Sequence, residues 1–290
     1  MVRRSTMPNR IVLITGANSG IGFETALGLA RMGGRIVMHG RDAERLAHAA
    51  GRVRAQSGNQ AIETLSADLL SQAEIRRLAR EFSAAHDRLD VLVNIAGAIF
   101  PDRRLTADGY ERTWALNHLG YVALTLALIG ALRAAKEARI VNVASRAHCR
   151  AGLDFDNLQG ERRFAPMDAY SRSKLGNVFF TYALARRLEG SGITANCLHP
   201  GVVATGFGRT MPGLFGFGIK LARPFFISAA KGARTSIFLA SSPEASGISG
   251  AYFADCRRAL SSALSHDGGI SERLWRLSLE QVGAAEPVLS

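Results

Sequence analysis

Short apolar runs recur along the chain at residues 11–15, 35–39, 61–65, 89–94, 139–144, 193–199 and 251–253, and helix-length segments with a 3.6-residue apolar period separate them. Each run is apolar almost throughout, as in Ile11-Val12-Leu13-Ile14, with none of the in–out alternation of a half-exposed strand. A strand that is apolar on both sides has both faces covered, and strand–helix alternation supplies the covering helices. The pattern predicts an α/β fold: one doubly wound, Rossmann-type domain over residues 1–290, with a mostly parallel sheet. Two stretches break the rhythm. One is a polar insertion at 146–168; the other is a Gly- and Phe-rich segment at 202–227 holding Phe207, Met211, Leu214, Phe215, Phe217, Ile219, Leu221, Phe225 and Phe226. In such sheets ligands bind beyond the carboxyl ends of the strands, where both interruptions are expected.

The first strand runs into Thr15-Gly16-Ala17-Asn18-Ser19-Gly20-Ile21-Gly22 and then into an apolar-periodic helix (Ile21, Ala26, Leu29, Ala30). Glycines at a strand-to-helix turn allow close backbone approach, and the free N–H groups of the helix start attract phosphate. The spacing is Gly-x-x-x-Gly-x-Gly, so an ordinary tight turn remains an alternative on this motif alone. Tyr170 and Lys174, four apart in a helical segment, share a face. A phenol ionises near pH 10, and a neighbouring ammonium favours the phenolate, so this pair is expected to bring an acid towards working pH. A solvated Tyr–Lys pair of no consequence is the alternative. Ser145 follows the fifth strand, where its hydroxyl is able to donate to a carbonyl oxygen or simply to cap a turn. Asn117 falls inside a helical stretch at 106–132 and needs a reason there, such as a kink or a bound water.

Taken together, these motifs resemble the short-chain dehydrogenase/reductase family. The similarity rests on TGANSGIG at 15–22, Asn94-Ile95-Ala96-Gly97 against the family's NNAG, Tyr170-Ser171-Arg172-Ser173-Lys174 against its YxxSK, and Pro200-Gly201 against its PG turn. It extends from about residue 10 to 282, and Ile95 departs from the usual Asn. NHLGYVALT at 117–125, SRAH at 145–148, FDNL at 155–158, YSRSKLGN at 170–177, AYFADC at 251–256 and RLW at 273–275 are similar to the retinol dehydrogenase-like branch. The resemblance implies hydride transfer between a carbonyl and an alcohol, without a metal. Ser145 would polarise the carbonyl, Tyr170 pass the proton, Lys174 bind the nicotinamide ribose and tune Tyr170, and Asn117 complete a water relay. It implies cofactor contacts at Gly16, Asn18, Ser19, Gly20, Ile21, Gly22, Asp68 (adenine), Asn94, Ala96, Gly97, Tyr170, Lys174, Pro200, Gly201, Val203 and Thr205 (nicotinamide amide). A non-catalytic dinucleotide-binding redox sensor is the alternative in another class.

Cofactor choice is read from the second strand, which ends in Gly40-Arg41-Asp42. An NAD enzyme places a carboxylate at that strand end for the ribose 2′-hydroxyl; Gly40 offers none, and Arg41 suits a 2′-phosphate. Asp42-Ala43-Glu44-Arg45 reads as a helix start with Asp42 as N-cap and Arg45 available to help. NADPH is therefore expected over NADH. The 202–227 segment reads as a lid over a lipophilic substrate, as a packed helix pair, or as a membrane-surface contact, since Arg209, Lys220 and Arg223 interleave with its apolar residues. His148 and Cys256 have no acid–base or metal partner in sequence and are expected to be structural.

Composition narrows the field. Lys and Arg total 36 against 24 Asp and Glu, a formal net charge of +12, yet only four of the basic residues are lysines and the arginines are scattered with no run longer than a pair. That is no nucleic-acid footprint. Cys149, Cys197 and Cys256 match no disulfide or zinc spacing, which suits a reducing compartment. The longest apolar stretch, 121–132, is short of the roughly 20 residues a membrane span needs, and Arg3, Arg4 and Arg10 precede only a four-residue apolar run with no cleavage site. These features predict a cytoplasmic chain with no transmembrane segment; the 202–227 segment points to a lipophilic small-molecule substrate and allows peripheral membrane contact, and the family resemblance allows a homo-oligomer.

Overall fold

The computed structural model describes residues 6–201 and 227–286. Eight strands form one sheet in the order β3-β2-β1-β4-β5-β6-β7-β8: β1 Ile11–Ile14, β2 Arg35–Gly40, β3 Ile62–Ser66, β4 Val91–Asn94, β5 Ala138–Val143, β6 Ile193–His199, β7 Tyr252–Ala254 and β8 Arg257–Arg258. The first seven pair in parallel, with registers such as Val12 beside Val91 and Asn94 beside Asn142. The direction of winding reverses between β1 and β4, so the crevice expected of such a sheet opens at their carboxyl ends.

The continuous apolar runs are explained by two cores. Leu13, Leu92 and Ile140 point into one, with α3 (Gln72–Ala85), α5 (Gly120–Ala127), α7 (Pro166–Arg187) and α9 (Gly268–Val282) packed over them. Their chain neighbours Val12, Ile14, Val91, Val93 and Val141 point into the other, against α1 (Gly20–Arg31), α2 (Ala43–Ser57) and α8 (Ala229–Ser241). Successive side chains on a strand face opposite ways, so a sheet covered on both sides needs an apolar residue at every position.

The observed strands lie within one or two residues of those expected, and three features differ from the sequence pattern. The stretch at 106–132 is not one helix: Leu105 and Glu111 form an isolated antiparallel bridge, α4 spans Arg112–Trp114, a π-helical turn runs Ala115–Leu119, and α5 gives way at Leu128 to α6, Ile129–Arg133. The insertion at 146–168 carries two 3₁₀ turns, Arg146–Arg150 and Phe155–Asn157, before Pro166 opens α7 from its first turn, where the missing N–H costs nothing. The antiparallel β8 was not expected. It follows a turn at Asp255 (φ +47) and Cys256 (φ +61), a left-handed pair that sequence reading assigns to Asn and Gly. Of the apolar segment 202–227, all but Ile227 lies outside the described residues, as do Val203 and Thr205.

Two buried histidines make the fold sensitive to acid. His39 on β2 bonds the Ala67 carbonyl through Nε2 at 3.1 Å, and burial lowers its pKa to about 4. Burial likewise lowers His118 to about 3. Between pH 6.5 and those values the unfolded chain takes up protons that the folded chain refuses, so their contribution is complete above pH 6.5 and is lost as pH falls. At pH 5 each is expected to cost about 2 kcal/mol. Urea unfolding at pH 7.5 and 5.0 should show the loss, and His39→Gln, which keeps a donor for Ala67 but does not titrate, should remove roughly its own share; an equal loss in the variant would acquit His39.

Candidate active site

At the end of β1 the buried Thr15 hydroxyl accepts the backbone N–H groups of Ile95 (2.9 Å) and Ala96 (3.1 Å), clamping the ends of β1 and β4 together. The usual Asn is not needed at Ile95 for this clamp, because only backbone takes part. The glycine turn then passes so close that side chains do not fit. Gly16 has φ +65 and a Cβ there would lie 3.0 Å from the Ala96 Cα; a Cβ on Gly22 would lie 2.1 Å from the Gly16 carbonyl oxygen. Ser19, the N-cap of α1, makes no side-chain capping bond, and the first turn of α1 holds no acidic residue. The first N–H groups of α1 thus face outward with the positive end of the helix dipole behind them, a cradle that fits the pyrophosphate of a dinucleotide.

At the end of β2, Gly40 is buried beside Asn18, 3.6 Å from that side chain to a Cβ placed on the glycine. Asp42 accepts the Arg45 N–H at 3.0 Å and pairs with the Arg45 guanidinium at 3.4 Å, so it is the N-cap expected, and Arg45 is engaged with it. Arg41 is exposed between them. Asp68 sits in the turn after β3, where Oδ1 accepts the Leu70 N–H at 3.0 Å. The Asn94 side chain lies inside the layers: its amide donates to Thr125 Oγ1 (3.2 Å) and Asn142 Oδ1 (2.9 Å), so only its backbone is left to face a crevice. Pro200 and Gly201 (φ +89) follow β6, as expected from the sequence.

The remaining residues converge at the carboxyl ends of β4 and β5. Asn117 lies on the π-helical turn, and its amide is fixed by Ala98 on both sides: Oδ1 accepts the Ala98 N–H and Nδ2 donates to the Ala98 carbonyl, both at 2.9 Å. Nδ2 also donates to Ser173 Oγ at 3.0 Å. A Cβ on Gly97 would stand 3.0 Å from Asn117 Oδ1 and 3.5 Å from Lys174 Nζ, so Gly97 leaves the room in which these two meet. Lys174 Nζ donates to the Val143 carbonyl at 2.9 Å and lies 5.2 Å from the Tyr121 ring centre and 5.8 Å from that of Tyr170. Ser145 both caps its turn, accepting the Ala147 N–H at 3.2 Å, and hydrogen-bonds the Tyr170 hydroxyl. Of the two readings of this serine, the turn cap is the one the structure realises.

The electrostatics correct one expectation. Lys174 does not dominate the titration of Tyr170: burial pushes the phenol up to about 12, and the opposing influence is the Ser145 hydrogen bond. Burial also pushes Lys174 down to about 7. Removing each charge from water outweighs the attraction between them, so the resting site favours a neutral phenol. Tyr121 is a residue sequence reading missed. It is fully buried, its hydroxyl has no hydrogen-bond partner, and its ring faces the Lys174 ammonium. Its place four residues after Asn117, on the same helical face, was the available signal.

A cavity of about 770 Å³ lies at the opposite, amino end of β5 and β6, lined by Arg139, Tyr182, Gly192 and Asp267 among others, and contains none of these residues. Among the described residues, no cluster of three or more His, Cys, Asp or Glu is disposed to hold a metal, and no helix is long and apolar enough to cross a membrane.

The profile of the short chain dehydrogenase family matches residues 10–212. The chain belongs to that family. It is 39% identical over 277 residues to retinol dehydrogenase 12 of Mus musculus, covering 96% of this chain and 87% of that protein, and 38% identical over 291 residues to human retinol dehydrogenase 13, covering 98% and 88%. Among solved structures, a putative uncharacterized protein from Mycobacterium paratuberculosis superposes with a TM-score of 0.80 at 32% identity, covering 99% of this chain and 98% of the other. The Pseudomonas aeruginosa RhlG/NADP active-site complex superposes with a TM-score of 0.67 at 27% identity, covering 86% and 95%. As a member of this family in its retinol dehydrogenase-like branch, the chain is an NAD(P)-dependent dehydrogenase/reductase acting on CH–OH and C=O groups.

The packing of the short chain dehydrogenase cradle gives a direct test. Gly22→Ala drives a methyl group into backbone that has no way to yield, so it should lower the melting temperature by several degrees and weaken NADP+ binding at least about tenfold. Calorimetric titration of the folded variant with NADP+ checks this; parent-like affinity would mean that the turn does not carry the pyrophosphate.

Proposed function

We propose that this chain is an NADP-dependent oxidoreductase that interconverts a carbonyl and an alcohol on a bulky, lipophilic substrate, with Tyr170 as general acid and base. The observation that carries the reading is the convergence of the Ser145 hydroxyl, the Tyr170 phenol and the Lys174 ammonium beside Gly97, with Asn117 clipped to Ala98. The bound nicotinamide supplies hydride to a carbonyl carbon, or accepts it from an alcohol. In the reducing direction Ser145 donates a hydrogen bond to the substrate oxygen as charge gathers there, and Tyr170 gives that oxygen its proton. A phenol held in its neutral form by burial is suited to giving a proton. Lys174 would hold the nicotinamide ribose and favour the phenolate left behind, and Asn117 keeps the Ala98 backbone and Ser173 in place behind it. A dinucleotide sensor without turnover would have no use for the Ser145–Tyr170 hydrogen bond.

The cofactor preference is supported by Arg41, which is free to meet a 2′-phosphate while Asp42 is occupied as an N-cap, and by the similarity to the RhlG/NADP complex. Pro200, Gly201, Val203 and Thr205 would close on the nicotinamide side. The lipophilic substrate is supported by the likeness to retinol dehydrogenases and by the apolar composition of 202–227, with retinal-like or steroid-like molecules and long-chain aldehydes as candidates. Three free cysteines, exposed (Cys149), buried (Cys197) and half-buried (Cys256), support a reducing, cytoplasmic location.

Tyr170→Phe is expected to remove nearly all NADPH-dependent aldehyde reduction while leaving NADPH affinity within about twofold, since it deletes the proton donor and keeps the ring. Steady-state rates with all-trans-retinal and decanal, beside a cofactor titration, decide it; appreciable turnover would take Tyr170 out of the role.

The parent is also expected to bind NADPH more tightly than NADH, with Arg41→Ala weakening NADPH about ten- to a hundredfold, the equivalent of roughly 1.5–3 kcal/mol for a charge-assisted contact, and leaving NADH unchanged. Dissociation constants at one ionic strength test this, and an unchanged ratio would return Asp42 to consideration as a ribose ligand. Gly40→Asp, which would add the missing carboxylate, is not a clean reversal, because its Cβ would stand 3.3 Å from Leu46 Cδ1.

A further inference from the structure

His148 lies in the 3₁₀ turn that follows Ser145 and is fully buried, and both of its ring nitrogens are engaged. Nδ1 is 2.6 Å from the Ser145 carbonyl oxygen, which also accepts the His148 backbone N–H at 3.1 Å. Nε2 is 3.0 Å from the backbone nitrogen of Ser262, beyond β8. A carbonyl only accepts and a backbone N–H only donates, so the ring must carry its proton on Nδ1 and keep Nε2 bare. The far anchor is itself held. Tyr182 on α7 meets Ser261 Oγ at 2.7 Å, and Ser261 meets Ser265 Oγ at 2.7 Å. The ring also lies 5.0 Å from that of Tyr252 on β7. On the other side of the turn, the Arg146 N–H donates to His199 Nδ1 at the end of β6, at 3.3 Å.

We propose that His148 is a positioning residue: its neutral imidazole is a strut between the Ser262 backbone and the Ser145 carbonyl that fixes the direction of the Ser145 hydroxyl towards the substrate oxygen. This rests on the reading of Ser145 as the group that polarises the carbonyl. Ser145 stands outside β5, in a short turn, and its side chain reaches the Ala147 N–H and the Tyr170 hydroxyl, so the position of its backbone is set by what holds the turn. Protonating Nε2 would turn it from acceptor to a donor facing the Ser262 N–H, and the strut would open. Burial lowers the pKa of His148, with the Ser145 bond opposing, so the strut is intact at neutral pH and opens only in acid. The other titratable or charged groups around it are Arg146, Cys149 and Arg150 on its own turn, His199 on β6, Tyr252 on β7, Asp255 in the turn after β7, and His266 reached through Ser261. Cys149 Sγ is 3.6 Å from Nε2.

Two kinds of measurement test the strut. In the free protein, ¹⁵N-histidine spectra should show His148 as the Nδ1–H tautomer, titrating below the ordinary histidine range; an Nε2–H tautomer overturns the proposal whatever the enzyme does. For function, Ser262→Pro removes the far donor without touching the site. Ser262 already has φ −62, the proline value, and its hydroxyl has no partner to lose. With NADPH and the faster of all-trans-retinal and decanal, Ser262→Pro should lower kcat about tenfold, the equivalent of one lost hydrogen bond, and move the acid limb of kcat to higher pH, with NADPH affinity within about twofold of the parent. His148→Asn, whose amide can still donate near the Nδ1 position, should retain more kcat than His148→Gln, which reaches only towards Ser262. A Ser262→Pro protein with parent kcat and pH profile and only a lower melting temperature would reduce His148 to a brace of the fold. Ser145→Ala is measured alongside: if it turns over normally the reading of Ser145 fails, whereas its loss beside an unaffected Ser262→Pro overturns the strut alone.

Discussion

The Lys174 ammonium sits where water does not reach, and the surrounding arrangement answers to that. α7 carries the side chain inward to the Val143 carbonyl, 2.9 Å away, and a charge so placed needs acceptors and polarisable faces around it. The β5 carbonyl supplies one, the Tyr121 ring another, and Gly97 keeps open the space where a ligand hydroxyl would complete the set. Lowered to about 7, the lysine is poised to gain its proton when a partner arrives. Binding and ionisation are thereby linked, because any ligand that accepts from Nζ also stabilises the charged form. The resting site holds its acid neutral.

Much of this arrangement was legible in the residues, for reasons that differ from one element to the next. The strands could be read because a sheet covered on both faces demands apolar residues at consecutive positions, and Val12, Leu13 and Ile14 divide between two cores accordingly. The glycine turn could be read because only residues without a Cβ survive a 2.1 Å approach. Asp42 was recognisable as a cap from Asp-x-x-Arg alone. Asn117 was conspicuous as a poor helix former, but the form of its disturbance, a π-helical turn that turns the amide onto Ala98, depends on a contact 19 residues away that no local pattern encodes. The strand β8 was invisible because its turn uses Asp255 and Cys256 in a backbone conformation that composition assigns to other residues. The effect of Lys174 on Tyr170 was misjudged because spacing reveals proximity and is silent on burial, and burial is the larger influence.

The polar residues of the interior form a second framework, independent of the glycine cradle. Asn94, Asn142 and Thr181 link β4, β5 and α7 through bonds of 2.9 and 3.0 Å, and Thr181 in turn donates to the Asn177 carbonyl at 2.7 Å. A buried amide left unpaired is costly, so such a ladder fixes the register of β4 against β5 and the height of α7 on the sheet. Tyr170 and Lys174 ride on that helix, two turns and one turn before Asn177. A family motif that places Asn at the end of β4 is thus explained by mechanics: the Asn94 side chain sets where α7 lies, and the other side of the strand end is left to backbone atoms and Gly97.

Ser145 is the member of the site that this framework does not reach. It lies past the end of β5, after the ladder has stopped, and the turn that carries it is a single 3₁₀ segment with weak internal bonding. Positioning must come from outside the turn, and two histidines tie it there: His199 on β6 accepts the Arg146 N–H, and His148, on the turn itself, joins the Ser145 carbonyl to the Ser262 N–H. Imidazole suits this work because one neutral ring offers a donor and an acceptor at opposite edges and spans a gap that no amide side chain bridges. The consequence is a dependence between distant parts of the chain. The residues after β8, remote in sequence from the fifth strand, become part of what holds the Ser145 turn, and the unanticipated antiparallel strand, by returning the chain across the sheet edge, is what brings the Ser262 backbone to His148.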